Sequence, residues 1–168
     1  MKHSEVLSRY VNTGTILPEK QYGRLTPSLK KSYFRIRGVA GNYSRWELNY
    51  INDDERIKFI EKKGEKLDYN DIFILLEYSD NRDVIAKKII DVKGVKLDPK
   101  DIRRLLSYPK DKELIKKLLL QKGIDYELIN KVITQYNFEK DGVSHIELIP
   151  DNYQSMLQEI RRIKEIMI

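Results

Sequence analysis

The chain contains no cysteine, which excludes disulfides and thiolate metal sites. It has only two histidines, His3 and His145, far apart and without companions at ligand spacing, so each reads as a surface or packing residue. No apolar run approaches the roughly 18 residues of a membrane-spanning helix, and the opening Met1-Lys2-His3-Ser4-Glu5 lacks a signal-peptide core. A glycine-rich phosphate loop is also missing, and Gly38-Val39-Ala40-Gly41 reads as a turn rather than a dinucleotide fingerprint. No serine has a histidine at motif spacing. These absences lead to the expectation of a soluble, cytoplasmic, non-enzymatic protein with no catalytic residue, no metal, no cofactor and no membrane partner.

Charge is abundant but unevenly placed. The 168 residues carry 32 basic and 26 acidic side chains, a net +6, with 35% of all residues charged. Residues 1–45 hold nine basic residues against Glu5 and Glu19, a net +7, so the rest of the chain is close to neutral. The length suits one domain with a modest core. Plentiful Ile, Lys, Asn and Tyr with little Ala points to an A/T-rich genome, such as that of a low-GC bacterium or its phage.

From Lys66 to Ile133 one pattern is written three times. Asp68 stands four residues before Ile72 and seven and eight before Leu75 and Leu76. Asp98 relates in the same way to Ile102, Leu105 and Leu106, and Asp125 to Ile129, Val132 and Ile133. Each aspartate suits a helix N-cap, where a short carboxylate accepts a backbone N–H of the first turn. Pro99 falls at a first helical position, where its missing N–H costs nothing. Two apolar-basic runs intervene, Val84–Ile90 and Leu114–Leu119, expected to form second helices that open near Asp83 and Asp111 and close at Gly94 and Gly123. Lys93 and Lys122 lie in the last turns, where positive charge suits the helix dipole. Helices of about ten residues are unstable alone in water, so stacking on neighbours is required. Self-similarity at about 30 residues marks a repeat architecture. A degraded earlier unit runs from Trp46 and Tyr50 through Asn52, Phe59 and Ile60 to Gly64.

The segment Lys116–Asp125 resembles the second helix and following turn of the ankyrin repeat, and Asp98-Pro99 resembles that family's proline-opened first helix. The family's Thr-Pro-Leu-His start is missing, and other short α/α solenoids fit the same residues. The resemblance implies protein binding and transfers no catalytic residue. The expected fold is all-α: a basic helical arm over residues 1–41, helical-hairpin repeats over 42–136, a loop or short hairpin over 137–150, and an amphipathic helix over 151–168. The predicted core comprises Ile72, Leu75, Leu76, Ile89, Ile102, Leu105, Leu106, Leu118, Ile129 and Val132.

Two surfaces are candidates for partners. In the arm, Ser4 would cap a first helix, and Thr26-Pro27 opens another that ends at Gly38. On it Leu29, Tyr33 and Ile36 form the packing stripe, leaving Lys30, Lys31, Arg35 and Arg37 to join Arg24 as a nucleic-acid contact or a solvated basic face. In the last helix Tyr153, Met156, Ile160, Ile163 and Met167 alternate by three and four, the spacing of a coiled-coil seam. That stripe either covers Ile129 and Ile133 or receives a partner helix, including one from a second copy. Trp46, Tyr78 and Tyr108 read as packing residues. The functional expectation is an adaptor that holds a protein or nucleoprotein partner. Its alternatives are a nucleic-acid binder acting through the arm and a small virion-associated component of a phage or viral assembly.

Overall fold

The computed structural model describes residue 11, residues 13–40, 43–139 and 146–153, and, beyond these, 155, 158, 159, 162 and 163. Among the described residues the fold is all-helical, with no strand. Eight α-helices are delimited: α1 (Glu19–Gly23), α2 (Pro27–Ala40), α3 (Asp53–Lys63), α4 (Tyr69–Tyr78), α5 (Arg82–Lys93), α6 (Pro99–Ser107), α7 (Lys112–Gln121) and α8 (Tyr126–Glu139). None is long and apolar enough to cross a membrane.

The aspartates act where the sequence places them. Asp68 accepts the Asp71 N–H at 2.8 Å while Asp71 accepts the Asp68 N–H at 3.2 Å. Asp98 and Asp101 repeat this reciprocal box at 2.9 and 3.2 Å, with a carboxylate one methylene shorter than the usual Glu. Helix α5 opens near Asp83, as expected, with Asp83 inside its first turn. Asn81 caps α5, and Asp83 instead accepts the Lys110 and Asp111 N–H groups at 2.8 and 3.3 Å. Asp53 does the same for Asp80 and Asn81 at 3.1 and 2.8 Å. Each carboxylate therefore fixes the loop that opens the next long helix. Beside the same loops, Arg82 donates to the Leu76 and Glu77 carbonyls, and Lys112 to those of Leu106 and Ser107. These are the carbonyls that a helix C-terminus leaves unpaired.

Packing follows the same period. Helix α4 packs on α6 and α6 on α8, while α3 packs on α5 and α5 on α7. Helices α4 and α5 pair, as do α6 and α7, and the apolar stripes of both sets meet in one core. Of the predicted core residues, all are buried except Leu118, which is half-buried; Ile115 and Leu119 fill that place. Four residues apart, these two face the core along one line of α7, and Leu118 lies at its edge.

Gly64 and Gly94 end α3 and α5 with φ of 59° and 53° and ψ near −130°, and each opens a single 3-10 turn. Gly123 ends α7 differently, with φ of 88° and the Ile124 N–H bonded to the Leu119 carbonyl, a Schellman closure. Nothing lies within 4 Å of a Cβ added at Gly94, so Gly94→Ala isolates the backbone cost. It is expected to lose about 1–3 kcal/mol in urea unfolding, because that combination of φ and ψ is open only to glycine.

The arm departs from expectation at both ends. Residues 1–10, including the Ser4-capped helix, lie outside the described residues. Helix α2 does not stop at Gly38 but continues to Ala40. A Cβ at Gly38 would stand 3.0 Å from the Tyr43 hydroxyl, so a larger residue there needs that side chain to give by a few tenths of an ångström. The expected helix around Trp46 and Tyr50 is a single 3-10 turn, Trp46–Asn49. Val11, Leu17, Tyr22, Leu25 and Tyr33 make a second, smaller core, and Phe34 packs against both cores.

Beyond α8, residues 140–145, with the predicted Glu139–Gly142 turn and His145, lie outside the described residues in part or whole. Residues 146–150 run extended as a strap along α7 and α8. Ile146 and Ile149 are buried in the same core as Ile129, Ile133 and Tyr136. Ile146 and Ile149 thus pack in the core that holds Ile129 and Ile133, the stripe that one of the two readings assigns to the last helix. Tyr153 packs against that core, with its ring 6.3 Å from Tyr126, whereas Ile163 is exposed. Met156, Ile160 and Met167 lie outside the described residues, as does the side-chain geometry of the seam.

Candidate interaction surfaces

The five cations singled out in the arm do not form one surface. Arg24, Lys31 and Arg35 are exposed. Lys31 and Arg35, one turn apart on α2, share a side of the helix. Lys30 is half-buried, its ammonium 5.3 Å from the centre of the Tyr22 ring. Arg37 is buried, which corrects its assignment to the solvent face. It stands seven residues after Lys30 and four after Tyr33, so it falls on the packed side of α2.

Arg37 is tolerated there because its charge is met. Nε and Nη2 donate to the two Glu47 carboxylate oxygens at 3.0 and 3.1 Å, and Nη1 donates to the Gly14 carbonyl at 3.2 Å. Glu47 also accepts from the Ser44 amide and hydroxyl at 2.8 and 2.9 Å. Burial alone would raise the Glu47 carboxyl. Arg37, the Ser44 groups and the Tyr33 hydroxyl outweigh it and hold the carboxyl below its ordinary range. Tyr33, whose hydroxyl accepts the Leu17 N–H at 3.2 Å, is pushed up to about 12, chiefly by burial and further by Glu47. This network fastens the arm to the first 3-10 turn and is structural.

Trp46 is half-buried among rings. Its centroid lies 5.3 Å from Tyr22, 6.0 Å from Tyr33 and 5.9 Å from Tyr50. It packs, as its sequence context implied.

The second surface was not singled out from the sequence. On the outward side of α4 and α6, the Arg104 guanidinium lies 4.6 Å from the Phe73 ring centre and 5.0 Å from that of Tyr69. Its Nε donates to the Tyr69 hydroxyl at 2.7 Å and its Nη1 to the Tyr108 hydroxyl at 3.4 Å. Arg82 stacks on the Tyr108 ring at 5.2 Å. Burial raises the Tyr108 hydroxyl pKa, as does its bond to Glu77, with Arg104 opposing. Tyr69, Phe73, Arg82, Arg104 and Tyr108 are all half-buried, so each ring and each guanidinium is ordered by neighbours yet reaches solvent. Arg82 and Tyr108 also line an open pocket of about 530 Å³ between the loops at Ser79–Asn81 and Lys110.

The signal for this ledge was present but spread over three helices. Tyr69, Phe73 and Arg104 look like ordinary surface residues, and Tyr108 like a packing residue, until α4 and α6 lie side by side. Tyr78, by contrast with Tyr108, is exposed. Among the described residues no group of three or more His, Asp and Glu is arranged to hold a metal. Comparison with protein-family models, with curated proteins and with solved structures finds no match to this chain.

Proposed function

We propose that the chain is a non-enzymatic adaptor, a short α/α solenoid of helical hairpins that holds a protein partner on the ledge of α4 and α6. The observation that carries this reading is the half-buried cluster of Tyr69, Phe73, Arg104 and Tyr108. Tyrosine and arginine dominate the residues that contribute most to protein interfaces, because each offers a large ordered contact with polar atoms at its tip. Stacking and hydrogen bonding already hold these side chains, so little rotamer freedom is lost on binding. The repeated loop clamps by Asp53 and Asp83 support the reading, since they keep neighbouring hairpins in fixed register.

The test is co-purification of the tagged protein from its native source beside an Arg104→Ala, Tyr108→Ala variant. A partner held on the ledge is expected to be lost, roughly 2 kcal/mol or more in binding, while the melting temperature changes little. Retention of every co-purifying protein by the variant rejects the ledge as the contact.

A second reading, nucleic-acid binding through the arm, is favoured by the exposure of Arg24, Lys31 and Arg35. Affinity for duplex DNA would then fall by about 0.9 log units per log unit of salt for each phosphate neutralised. Replacing these three with Gln is expected to flatten that slope without unfolding. No binding at about 50 mM salt leaves them as a solvated face.

A further inference from the structure

An open groove of about 560 Å³ is lined by residues of α2, of α3 and of the segment 50–52 that leads into α3. That volume falls within the range of small-ligand sites, about 300–1,000 Å³. Two of its apolar residues face solvent, Val39 at 88% exposure and Tyr50 at 49%. Tyr50 is exposed yet held. Its hydroxyl donates to Glu19 Oε1 at 3.1 Å. Its ring lies 6.1 Å from that of Phe34 at an interplanar angle of 29°, 5.0 Å from Tyr22 and 5.9 Å from Trp46. A ring fixed by three others and by its own hydroxyl, with half its surface in solvent, loses little freedom when a planar group stacks on it.

The charge beside this platform is positive. Arg35 of α2 and Lys58 of α3 line the groove, one from each wall, and both are exposed. Glu55, the acid among the described lining residues, is already met. Lys58 reaches its Oε1 at 3.2 Å, and the Tyr43 hydroxyl donates to its Oε2 at 3.0 Å. Lys31, Arg35 and Val39 are spaced by four on α2 and all are exposed. They form one row that runs into the groove over about 12 Å of helix rise. A row of cations leading to a held aromatic ring is the combination by which proteins bind single strands, the cations tracking phosphates while a base stacks on the ring.

We infer that this groove is a stacking site for an unpaired base of a single-stranded nucleic acid, with Tyr50 as the platform and Lys31, Arg35 and Lys58 as the phosphate contacts. The inference rests on the second reading, in which the cations of the arm meet phosphate, and it names the form of nucleic acid. A duplex keeps its bases stacked on one another and offers the arm phosphates alone, whereas a single strand can place a base on Tyr50. An acidic peptide would satisfy the cations but gains nothing specific from a flat, exposed ring. Sequence preference is expected to be weak, because every base has a π-face.

The test uses the full chain and two labelled probes at about 50 mM salt. One is an oligothymidylate about ten nucleotides long, the other an abasic deoxyribose-phosphate strand of the same length and charge. Fluorescence polarisation is expected to show the thymidylate bound roughly ten-fold or more tightly than the abasic strand. Tyr50→Leu, which keeps apolar bulk without a ring, should remove that difference and leave the affinity for the abasic strand unchanged. Tyr50→Phe should retain it. Val39→Glu puts a negative charge in the groove at an exposed position, and should weaken thymidylate binding by roughly ten-fold even where Tyr50→Leu fails to fold. Equal binding of the two strands by the wild type overturns the stacking site while phosphate contact by the arm stands. Binding of neither strand overturns both. Wild-type affinity for the thymidylate in Val39→Glu or in folded Tyr50→Leu also overturns the site. An oligoglutamate peptide of the same length bound as tightly as the thymidylate does so too, in favour of an acidic protein partner.

Discussion

Arg37→Ala is expected to cost about 3–5 kcal/mol, the loss that follows when one partner of a buried pair is removed and the other is left charged. Glu47 has no exposed surface, and its side chain meets Arg37 through both oxygens. With Arg37 gone, Glu47 retains only Ser44 and Tyr33, and the Gly14 carbonyl loses its donor as well. The loss should appear in urea unfolding at pH 7, together with detachment of the arm, seen as increased solvent exposure of Trp46 fluorescence. The pH dependence follows from the lowered Glu47 pKa. A carboxyl depressed in the folded state contributes stability above its unfolded value of about 4.3 and loses it as pH falls through the folded value. Wild-type stability should therefore decline below about pH 5, and Glu47→Gln should decline less steeply because it has already lost this contribution. An Arg37→Met, Glu47→Leu double variant should recover much of the loss, since apolar replacement of a buried pair is often neutral. Equal instability of the single and double variants would contradict this account.

Leu105→Ala is expected to cost about 2–5 kcal/mol, through lost transfer energy and the cavity left behind. Leu105 has no exposed surface and lies on α6, which packs against α4 on one side and α8 on the other. Neither neighbour can close the gap without leaving its other contacts. Leu118→Ala, at the half-buried edge of α7, should cost distinctly less than Leu119→Ala, whose side chain is fully enclosed. The order, read from urea midpoints, matters more than the absolute values. A Leu118 loss equal to that of Leu119 would show that α7 is rotated from the orientation described.

The sequence determined the local grammar of this protein. Caps and stripes depend on neighbours within one turn or two, so Asp68, Asp98, Ile72, Leu75, Ile102 and Leu105 were readable by spacing alone. The all-helical class follows from that same short range. Gly94 was legible as a helix end, although its ψ and the 3-10 turn after it were not.

Tertiary structure decided everything that depends on which helix lies beside which. Arg37 looked like part of a basic face because nothing in its own helix announces Glu47, ten residues on and across a turn. Asp83 marked the opening of a helix, but its partners, the Lys110 and Asp111 amides, come within reach only when α7 stacks on α5. The ledge of Arg104 exists because α4 and α6 are neighbours. Asn130 and Asn137 are unremarkable polar residues of a helix until a strap from beyond residue 145 folds back along them, its backbone within reach of their amides. The reason is common to all four: side-chain spacing is encoded within a few residues, whereas the partner of a buried charge or of a backbone-reading amide is chosen by contacts between segments distant in sequence.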